Sequence, residues 1–374
     1  MSDKIKILFD SYHLYHLPQF EPLIDLLGTD KRFDIFHSTS NEIPNQEYEL
    51  CSSILRKKPG VFIEAKTEKI RQEKIKKLDL NFFICGWSRY DIDKYVTRKT
   101  IVGMIYHGIG IKPSYWLDNH QRLDLRFVEG EYRVNQLQQN GIDTRLELTG
   151  FIKLDPIFQK NKIDINNIEQ KYNLDPSKKT ILFAPTFYPS SVEPLGMKLG
   201  EYTKGYNVLI KPHLWTTFLN KFAEVSHRGK NRIFNSLIKK YDHVHLIPPE
   251  EYNITPFYQV ADVLLTEASS TIYEMLACGK PVIVNRFFKL KLSHRLFKYR
   301  LYKKRLNREM EKDISSFCFE AHKPSDIPSS LDSAFNQFSS KLDKVKEFQK
   351  KMLFKLDGLA ALRAKKIILS LTKN

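Results

Sequence analysis

The stretch at residues 261–274, ADVLLTEASSTIYE, decides the fold class. Its apolar run ends at Thr266, and small hydroxyl residues then lead into a segment of helical character that Gly279 stops. A short buried strand followed directly by a helix is typical of a parallel sheet with crossover helices. The sequence therefore predicts an α/β fold.

Similar short β-branched and aromatic runs recur along the chain, separated by segments of helical length. The predicted strands of the first half are 5–9, 33–37, 61–65, 81–85, 101–106, 125–129 and 146–149. Those of the second half are 180–184, 207–211, 243–247, 262–265 and 281–285. Residues 160–179, rich in Asn, Asp and Lys, separate the two series. We therefore expect two doubly wound, Rossmann-like domains, 1–160 and 161–338, facing an interdomain cleft at the carboxyl ends of their strands.

The C-terminal segment 339–374 has the pattern of an amphipathic helix. It lacks proline, and its apolar residues follow one another at steps of three or four: Val345, Phe348, Met352, Leu356 and Leu359. We expect a kink near Gly358 and a helix that packs back across the two domains.

The bulk composition is that of an enzyme-sized globular protein. The chain has 374 residues, of which 42% are hydrophobic and 28% charged, and a formal net charge of +17. This balance excludes a disordered or fibrous class. The positive charge predicts an anionic partner, such as a nucleotide, an acidic lipid or a phosphate polymer.

The cellular compartment is suggested by three features. The four cysteines are widely scattered without a CxxC pair, which indicates reduced thiols rather than disulfides or a zinc site. The N-terminal MSDKIKILFD has no signal-peptide pattern. No apolar run approaches the ~20 residues that a membrane-spanning helix needs. We expect a cytoplasmic protein whose attachment to a membrane is peripheral.

His107 is the first candidate for chemistry. It follows the predicted strand 101–106, where an open sheet presents catalytic groups, and begins the sequence His107-Gly108-Ile109-Gly110-Ile111-Lys112. Glycine allows the backbone to come close to a ligand. A histidine can remove a proton near neutral pH, and Lys112 can offset phosphate charge. The alternative is an ordinary turn with an incidental histidine.

Lys211-Pro212-His213 ends a strand of the second half in a similar way. The proline stops the strand and fixes the direction of its neighbours. Lys211 and His213 could then hold an anionic donor. The alternative is a surface lysine beside a histidine that packs without a function.

The hydroxyl residues within the stretch 261–274 suggest a phosphate site. Unpaired backbone amides at a helix start, with the hydroxyls of Ser269, Ser270 and Thr271, could cradle a phosphate. Capping alone would explain one of these serines. Glu274, one turn into the helix, could accept hydrogen bonds from ribose hydroxyls, or could be a solvated residue favoured by the helix dipole.

Together these motifs resemble the CDP-glycerol glycerophosphotransferase family of teichoic-acid and capsule polymerases and primases. The resemblance rests on His107-Gly108-x-x-x-Lys112, Ile181-Leu182-Phe183-Ala184-Pro185-Thr186, Lys211-Pro212-His213 and Thr266-Glu267-Ala268-Ser269-Ser270, in that order. It covers roughly residues 100–285, and residues 253–258, NITPFY, are also similar to the family. This chain has Thr-Glu-Ala-Ser-Ser where the family usually has Thr-Asp-Tyr-Ser-Ser.

The resemblance implies a GT-B fold, a CDP-linked polyol donor and release of CMP. The catalytic residues that it implies are His107 as base, Lys211 and His213. The resemblance also places Lys211, His213, Ser269 and Ser270 in a diphosphate-binding set. Together with the motif residues, the expected donor-binding residues are Gly108, Lys112, Pro185, Thr186, Thr266, Glu267, Ser269, Ser270, Thr271 and Glu274. The first hundred residues match less clearly and would hold the acceptor.

No metal or other cofactor is predicted, although metal dependence stays open. The histidine can take the proton of an attacking hydroxyl, and Lys211, His213 and helix amides can stabilise the departing phosphate. We assign no metal to Asp91-Ile92-Asp93, since such a string is common by chance.

Residues 286–308, RFFKLKLSHRLFKYRLYKKRLNR, contain no acid and interleave aromatic residues with cations. This pattern suits an acidic membrane surface or a phosphate polymer. The candidate binding residues are Arg295, Lys298, Arg300, Lys303, Lys304 and Arg305. The alternative is a basic helix whose apolar side belongs to the core, and the lack of a recognised motif argues against nucleic acid.

Three functions follow as hypotheses. The first is transfer of a polyol phosphate, with glycerol phosphate expected, from a CDP-linked donor to a hydroxyl of a phosphopolymer, glycan or lipid-linked acceptor at the inner face of the cell membrane. The second is a GT-B glycosyltransferase or nucleotide-sugar epimerase, because fold does not fix function. The third is a non-catalytic module that binds an anionic polymer.

Overall fold

The computed structural model describes residues 4–110, 114–219, 221–222, 225–297, 299 and 314–372. The chain divides into two compact units. The first comprises Met1–Ile109, Pro113–Gln159 and Lys350–Asn374, and the second comprises Gly110–Lys112 and Lys160–Gln349.

The first unit is built on a seven-stranded sheet in the order β3-β2-β1-β4-β5-β6-β7. All neighbouring strands are parallel. The strands are β1 (Ile5–Asp10), β2 (Phe33–Ser38), β3 (Val61–Phe62), β4 (Phe82–Cys85), β5 (Ile101–Ile105), β6 (Leu125–Val128) and β7 (Arg145–Leu148). All residues of β4 and β6 are buried, as expected of a parallel sheet covered on both faces.

Helices connect these strands. They are Leu17–Gly28, Asn45–Leu55, Glu68–Lys77, Ser114–Leu117, Glu131–Gln139 and Asp155–Phe158. The helix Glu68–Lys77 begins where the Thr67 hydroxyl accepts a hydrogen bond from Ile70 N, and three lysines occupy its last turn. Its buried face places Ile75 in a core cluster with Leu8 and Phe83 of the sheet.

The second unit contains a six-stranded sheet in the order β12-β9-β8-β13-β14-β15, again with parallel neighbours. Its strands are β8 (Thr180–Ala184), β9 (Asn207–Ile210), β12 (Val244–Leu246), β13 (Val263–Thr266), β14 (Val282–Asn285) and β15 (Phe319–Ala321). A separate antiparallel pair consists of β10 (Lys221–Phe222) and β11 (Val225–Ser226).

Helices of the second unit lie before, between and after these strands. They are Ile165–Lys171, Val192–Leu195, Lys198–Tyr202, Leu214–Phe218, Arg228–Lys240, Thr255–Val260, Thr271–Ala277, Leu292–Leu296 and Ile327–Gln337. The core cluster of this unit joins Phe183 of β8 to Phe234 and Leu331 of the flanking helices.

Both sheets are doubly wound, as the sequence predicts. In the first sheet the strand order reverses between β1 and β4, and in the second it reverses between β8 and β13. Ligands of open α/β sheets bind outside the carboxyl ends of strands at such a switch point. The residues that follow β1, β4, β8 and β13 are therefore the places to look for a functional site.

The C-terminal segment forms two helices rather than the single kinked helix expected from the sequence. The helices are Leu342–Met352 and Ala360–Leu371, and Gly358 lies between them with a φ of +71°. The break has a physical cause, because Asp155 accepts hydrogen bonds from the backbone N–H groups of Ala360 (3.0 Å) and Ala361 (2.7 Å). Leu359, expected on the apolar face, is 45% exposed.

Within the described residues, no helix has both the length and the apolar character required to cross a membrane.

Candidate functional site

His107 lies two residues beyond the end of β5 and is held by the residue that follows the neighbouring strand β4. Its Nδ1 atom lies 3.3 Å from the carbonyl oxygen of Gly86, which follows β4. A carbonyl oxygen can only accept, so Nδ1 carries the proton in the neutral ring and Nε2 is the basic nitrogen. The Gln19 side chain donates to the His107 carbonyl at 3.3 Å and fixes the backbone at the same point.

Aromatic rings surround the His107 side chain. The ring of Tyr106 lies 4.5 Å from it, that of His16 4.9 Å and that of Tyr15 5.2 Å, measured between centroids. Trp87 continues this cluster, 5.0 Å from His16. These contacts restrict the orientation of the imidazole, which a proton-transfer group requires.

His16 is fully buried in this cluster and lies against Gly86. A Cβ atom at Gly86 would approach the His16 ring to 2.7 Å, so only glycine fits beneath it. Burial, together with the nearby His107, His13 and Arg89, lowers the pKa of His16 well below its ordinary value. His16 therefore stays neutral beside His107.

The structure also places His13, His16 and Trp87 in the cluster around His107, and no sequence motif pointed to them. Both histidines belong to the stretch 11–16, SYHLYH, which follows β1 at the switch point of the first sheet. His13 is held by Glu47, whose Oε1 lies 3.1 Å from His13 Nδ1 and also accepts from Leu14 N. The switch-point rule applied to β1 would have found them.

His213 is held in the opposite tautomer from His107. It precedes the helix Leu214–Phe218, and its Nδ1 accepts a hydrogen bond from the backbone N–H of Trp215 at 3.1 Å. An N–H group can only donate, so the neutral His213 ring carries its proton on Nε2. Its ring packs 4.7 Å from that of Phe187, and Lys211 is buried at the end of β9.

Glu267 follows β13 at the second switch point and is fully buried. Its Oε2 accepts from Thr186 N at 2.5 Å, and its Oε1 accepts from Ser191 N at 2.8 Å and Ser191 Oγ at 2.5 Å. Burial raises the pKa of Glu267 to about 7. The carboxylate thus holds both ends of the loop 186–191, which follows β8.

Lys230 also holds this loop. It is buried in the helix Arg228–Lys240, and its Nζ donates to the carbonyl of Phe187 at 2.5 Å. Asn285, at the end of β14, donates to Ser191 Oγ at 2.9 Å. The loop beside His213 is therefore fixed by several buried polar groups, none of which stood out in the sequence beyond Glu267.

The hydroxyl residues after β13 lie as expected at the start of a helix. The helix is Thr271–Ala277, and Gly279 beyond it has a φ of +69°. Ser269 Oγ accepts from Thr271 N at 3.3 Å, Thr266 Oγ1 donates to Ala184 O at 2.7 Å, and Ser270 is half-buried. Ser269 thus satisfies one N–H of the helix start, whereas Ser270, the N-cap residue, makes no side-chain capping hydrogen bond.

Glu274 lies in the interior of the second unit. It is fully buried, and its Oε2 accepts from the hydroxyl of Tyr258 at 2.9 Å. It is therefore not the solvated first-turn residue that the sequence left open. Pro185, directly beyond β8, and Gly108, three residues beyond β5, are both buried.

Several candidates fall outside the described residues, namely Lys112, Lys298, Arg300, Lys303, Lys304 and Arg305. Arg295 is described, and its Nε donates to Leu290 O at 2.9 Å. It lies in the helix Leu292–Leu296, where Leu292 and Leu296 are 66% and 67% exposed.

Ligand atoms of Asp91, Asp93 and His120 lie within 4.8 Å of one another. Lys94 pairs with Asp91 at 3.5 Å and Arg122 with Asp93 at 3.7 Å. These cations offset the acidic charge, and we assign no metal to the group.

Solved structures with similar folds support the architecture. The wall teichoic acid polymerase TagF matches with a TM-score of 0.69 and 13% identity over 99% of this chain and 90% of that chain. UDP-GlcNAc 2-epimerase from Neisseria meningitidis matches with a TM-score of 0.59 and 15% identity over 99% of this chain and 100% of that one. A co-structure of S. aureus MnaA with UDP matches with a TM-score of 0.62 and 14% identity over 99% of this chain and 98% of that one. At such identities the likeness shows the fold alone, which is GT-B as expected.

Sequence comparison adds the family. No curated protein matches the chain. The sequence profile of the CDP-glycerol:poly(glycerophosphate) glycerophosphotransferases matches residues 112–312, more than half of the chain, and these residues include Lys211, His213 and Glu267. The chain therefore belongs to the CDP-glycerol:poly(glycerophosphate) glycerophosphotransferase family.

Proposed function

We propose that the protein transfers glycerol phosphate from CDP-glycerol to a hydroxyl of a cell-surface polymer or lipid-linked acceptor and releases CMP. The family supplies the reaction class. The observation that carries the proposal is the hydrogen bond from His107 Nδ1 to Gly86 O, because it leaves Nε2 as a base at the carboxyl end of a parallel strand. The similarity to a TagF structure soaked with CDPG supports this donor.

His107 is the proposed general base. The acceptor hydroxyl attacks the β-phosphorus of CDP-glycerol, and a new oxygen–phosphorus bond forms while the bond from that phosphorus to the bridging oxygen breaks. The hydroxyl proton passes to His107 Nε2. Tyr106, His16 and Tyr15 keep the imidazole in the orientation that this transfer needs.

Lys211 and His213 are the proposed partners of the departing CMP. Negative charge accumulates on its phosphate as the bridging bond breaks, and preorganised donors lower the energy of that state. Because its Nδ1 accepts from Trp215 N, His213 offers an Nε2–H donor. The two tautomers thus match two different requirements of the reaction. His107 Nε2 can accept the proton of the attacking hydroxyl, and His213 Nε2–H can donate a hydrogen bond to the departing phosphate.

The donor diphosphate is proposed to bind through the loop and helix start of the second unit. The proposed residues of this loop and helix start are Pro185, Thr186, Thr266, Ser269, Ser270 and Thr271, and Gly108 and Lys112 are proposed to contribute as well. Glu267 fixes the loop through Thr186 N and Ser191 N, so its role is to position donor-binding groups. Glu274 is proposed to act at the ribose from its buried position beside Tyr258.

The protein is proposed to work at the inner face of the cell membrane. Exposed Leu292 and Leu296 share a short helix with Arg295, and Phe297 and Tyr299 beyond it are 46% and 63% exposed. Apolar insertion together with charge attraction binds such a surface to acidic lipid. Sedimentation with anionic and zwitterionic vesicles tests this, and equal recovery with both would contradict it.

Nucleotide release from a donor panel tests the reaction. Purified protein is incubated with CDP-glycerol, CDP-ribitol and UDP-N-acetylglucosamine, with and without membrane acceptor, and the released nucleotide is quantified. We expect CMP from CDP-glycerol and little release from the other donors. UDP release would instead support the glycosyltransferase or epimerase hypothesis, and polymer binding without any turnover would support the binding module.

A further inference from the structure

We infer that Arg89 recognises a phosphate group of the acceptor, next to the hydroxyl that His107 activates. The inference rests on the proposed function and adds to it a residue that recognises the phosphate of the acceptor. It starts from an arginine that neither the sequence motifs nor the proposed reaction uses, and that the first unit holds in a fixed orientation close to His107.

Arg89 is anchored by a buried carboxylate. Its Nε lies 3.2 Å from Asp118 Oδ2, and the Asp118 side chain is only 1% exposed. The other oxygen of Asp118 accepts from both the backbone N–H and the hydroxyl of Ser88, each at 2.8 Å. Because Asp118 is itself held rigidly, the guanidinium has a defined direction.

Aromatic residues complete the support of Arg89. Its Cζ lies 5.0 Å from the centre of the Trp87 ring, and its Nη2 donates to the Tyr106 hydroxyl at 3.4 Å. A guanidinium stacked on an aromatic ring loses little freedom when it binds a ligand. The same Tyr106 ring packs 4.5 Å from His107, so one tyrosine contacts both the arginine and the proposed base.

Arg89 also keeps the capacity to bind an anion. Its side chain is 48% exposed, unlike its carboxylate partner. Beyond Asp118 and Tyr106, no acceptor in the described part of the chain takes a hydrogen bond from the guanidinium. The remaining N–H groups have the planar fork geometry that matches a phosphate.

This placement favours an acceptor that carries a phosphate close to its reacting hydroxyl. Two sources have that chemistry, namely the internal phosphodiester of a polyol phosphate chain and the diphosphate of a lipid-linked glycan. A neutral polyol lacks it. Arg89 would therefore lower the KM of phosphate-bearing acceptors without contributing to donor binding.

Acceptor kinetics of Arg89→Gln test the inference. CMP release from CDP-glycerol is measured with glycerol, a synthetic glycerol phosphate dimer and an alkyl-diphosphate-linked N-acetylhexosamine as acceptors. We expect the KM of a phosphate-bearing acceptor to rise about tenfold or more, because a charge-assisted hydrogen bond is lost. The KM of CDP-glycerol and the rate of its hydrolysis without acceptor should stay within about twofold.

Matched variants separate recognition from folding. Arg56→Gln removes another half-exposed arginine, 47% exposed and paired with Glu64 at 3.3 Å, and should change none of these constants. Arg89→Lys keeps the positive charge but loses the planar pair of N–H donors. A KM for phosphate-bearing acceptors between those of the wild-type protein and Arg89→Gln supports the inference, even if Arg89→Gln proves less stable in thermal unfolding.

The outcomes are distinct. A rise for the dimer alone identifies a polymer phosphodiester, and a rise for the diphosphate alone identifies a lipid-linked acceptor; both support the inference. An unchanged KM for both phosphate-bearing acceptors, or an equal rise for glycerol, overturns it. Failure of the proposed function looks different, since the wild-type protein would then release no CMP from CDP-glycerol.

Discussion

The imidazole of His107 and the carbonyl of Gly86 lie 3.3 Å apart at the ends of two neighbouring parallel strands, β5 and β4. Through this contact the backbone selects the tautomer of the proposed base. Gly86 also makes room for His16, whose ring occupies the position where a Cβ atom of residue 86 would point. The tautomer of His107 and the packing of His16 therefore depend on one glycine.

Gly86→Ala should impair turnover more than stability. The new methyl group would lie 2.7 Å from the His16 ring, so the ring or the Gly86 backbone must move. We expect kcat for CMP release to fall about tenfold or more, since small displacements of catalytic groups are costly. Gly205→Ala is the control, because a Cβ there meets nothing within 4 Å. Equal kcat for both variants would refute the role of Gly86.

His213 can be tested with two variants that differ in capping. His213→Ala removes both the acceptor for Trp215 N and the Nε2–H donor, whereas His213→Asn keeps a good helix-capping acceptor. We expect alanine to lower the free energy of unfolding by about 1 kcal/mol and asparagine by less. Both should lower kcat strongly. Recovery of kcat in His213→Asn would mean that the residue is only a cap.

Glu267→Gln should weaken donor binding through the loop 186–191. A glutamine amide cannot accept all three hydrogen bonds from Thr186 and Ser191, and at least one N–H would face another donor. We expect a loss of about 2 kcal/mol in the free energy of unfolding and a higher KM for CDP-glycerol.

The control for Glu267 is another buried carboxylate. Asp155→Asn also disturbs hydrogen bonds from two backbone N–H groups, those of Ala360 and Ala361. It should lower stability but leave the KM of CDP-glycerol unchanged. If both variants alter that KM equally, Glu267 has no specific role at the donor site.

Acid should destabilise the protein through a buried histidine. His37 is fully buried and hydrogen bonded to Pro59 O at 2.7 Å, and burial lowers its pKa to about 4. Between pH 4 and the ordinary value of about 6.5 the unfolded chain binds a proton that the folded chain does not. The stability contributed by neutral His37 is complete above that ordinary value and is lost as the pH falls through this window.

Denaturant unfolding at several pH values measures this effect. In His37→Gln the free energy of unfolding should change less steeply with pH than in the wild-type protein. The difference in slope should be about 1.4 kcal/mol per pH unit, which corresponds to one proton. His322→Gln changes a histidine whose side chain is 69% exposed and should keep the wild-type dependence. Identical slopes for all three proteins would exclude His37 as the titrating group.

Most of the sheet structure could be predicted because apolar runs mark parallel strands directly. Every strand expected for the two sheets is present, although 61–65 pairs only over Val61–Phe62 at the edge of the first sheet. Three short strands were missed, β10, β11 and β15. Strands of two or three residues have too few positions to show a pattern.

Only those features of the candidate site that lie within a short stretch of sequence could be predicted. His107, His213 and Glu267 each follow a recognisable strand, and their motifs point to phosphate chemistry. The hydrogen bond from His107 to Gly86 and the anchoring of Arg89 by Asp118 join residues that are 21 and 29 positions apart. Such contacts depend on the pairing of strands, which local patterns do not specify.

The central claim is that His107 is the general base of a CMP-releasing transfer. It is tested most directly by steady-state CMP release from CDP-glycerol, with acceptor, by the wild-type protein and His107→Gln. We predict that His107→Gln lowers kcat by about 10²–10⁴-fold, the usual contribution of a general base, and leaves the thermal unfolding temperature unchanged. The control variant His322→Gln should keep the wild-type kcat. Wild-type turnover by folded His107→Gln would contradict the account.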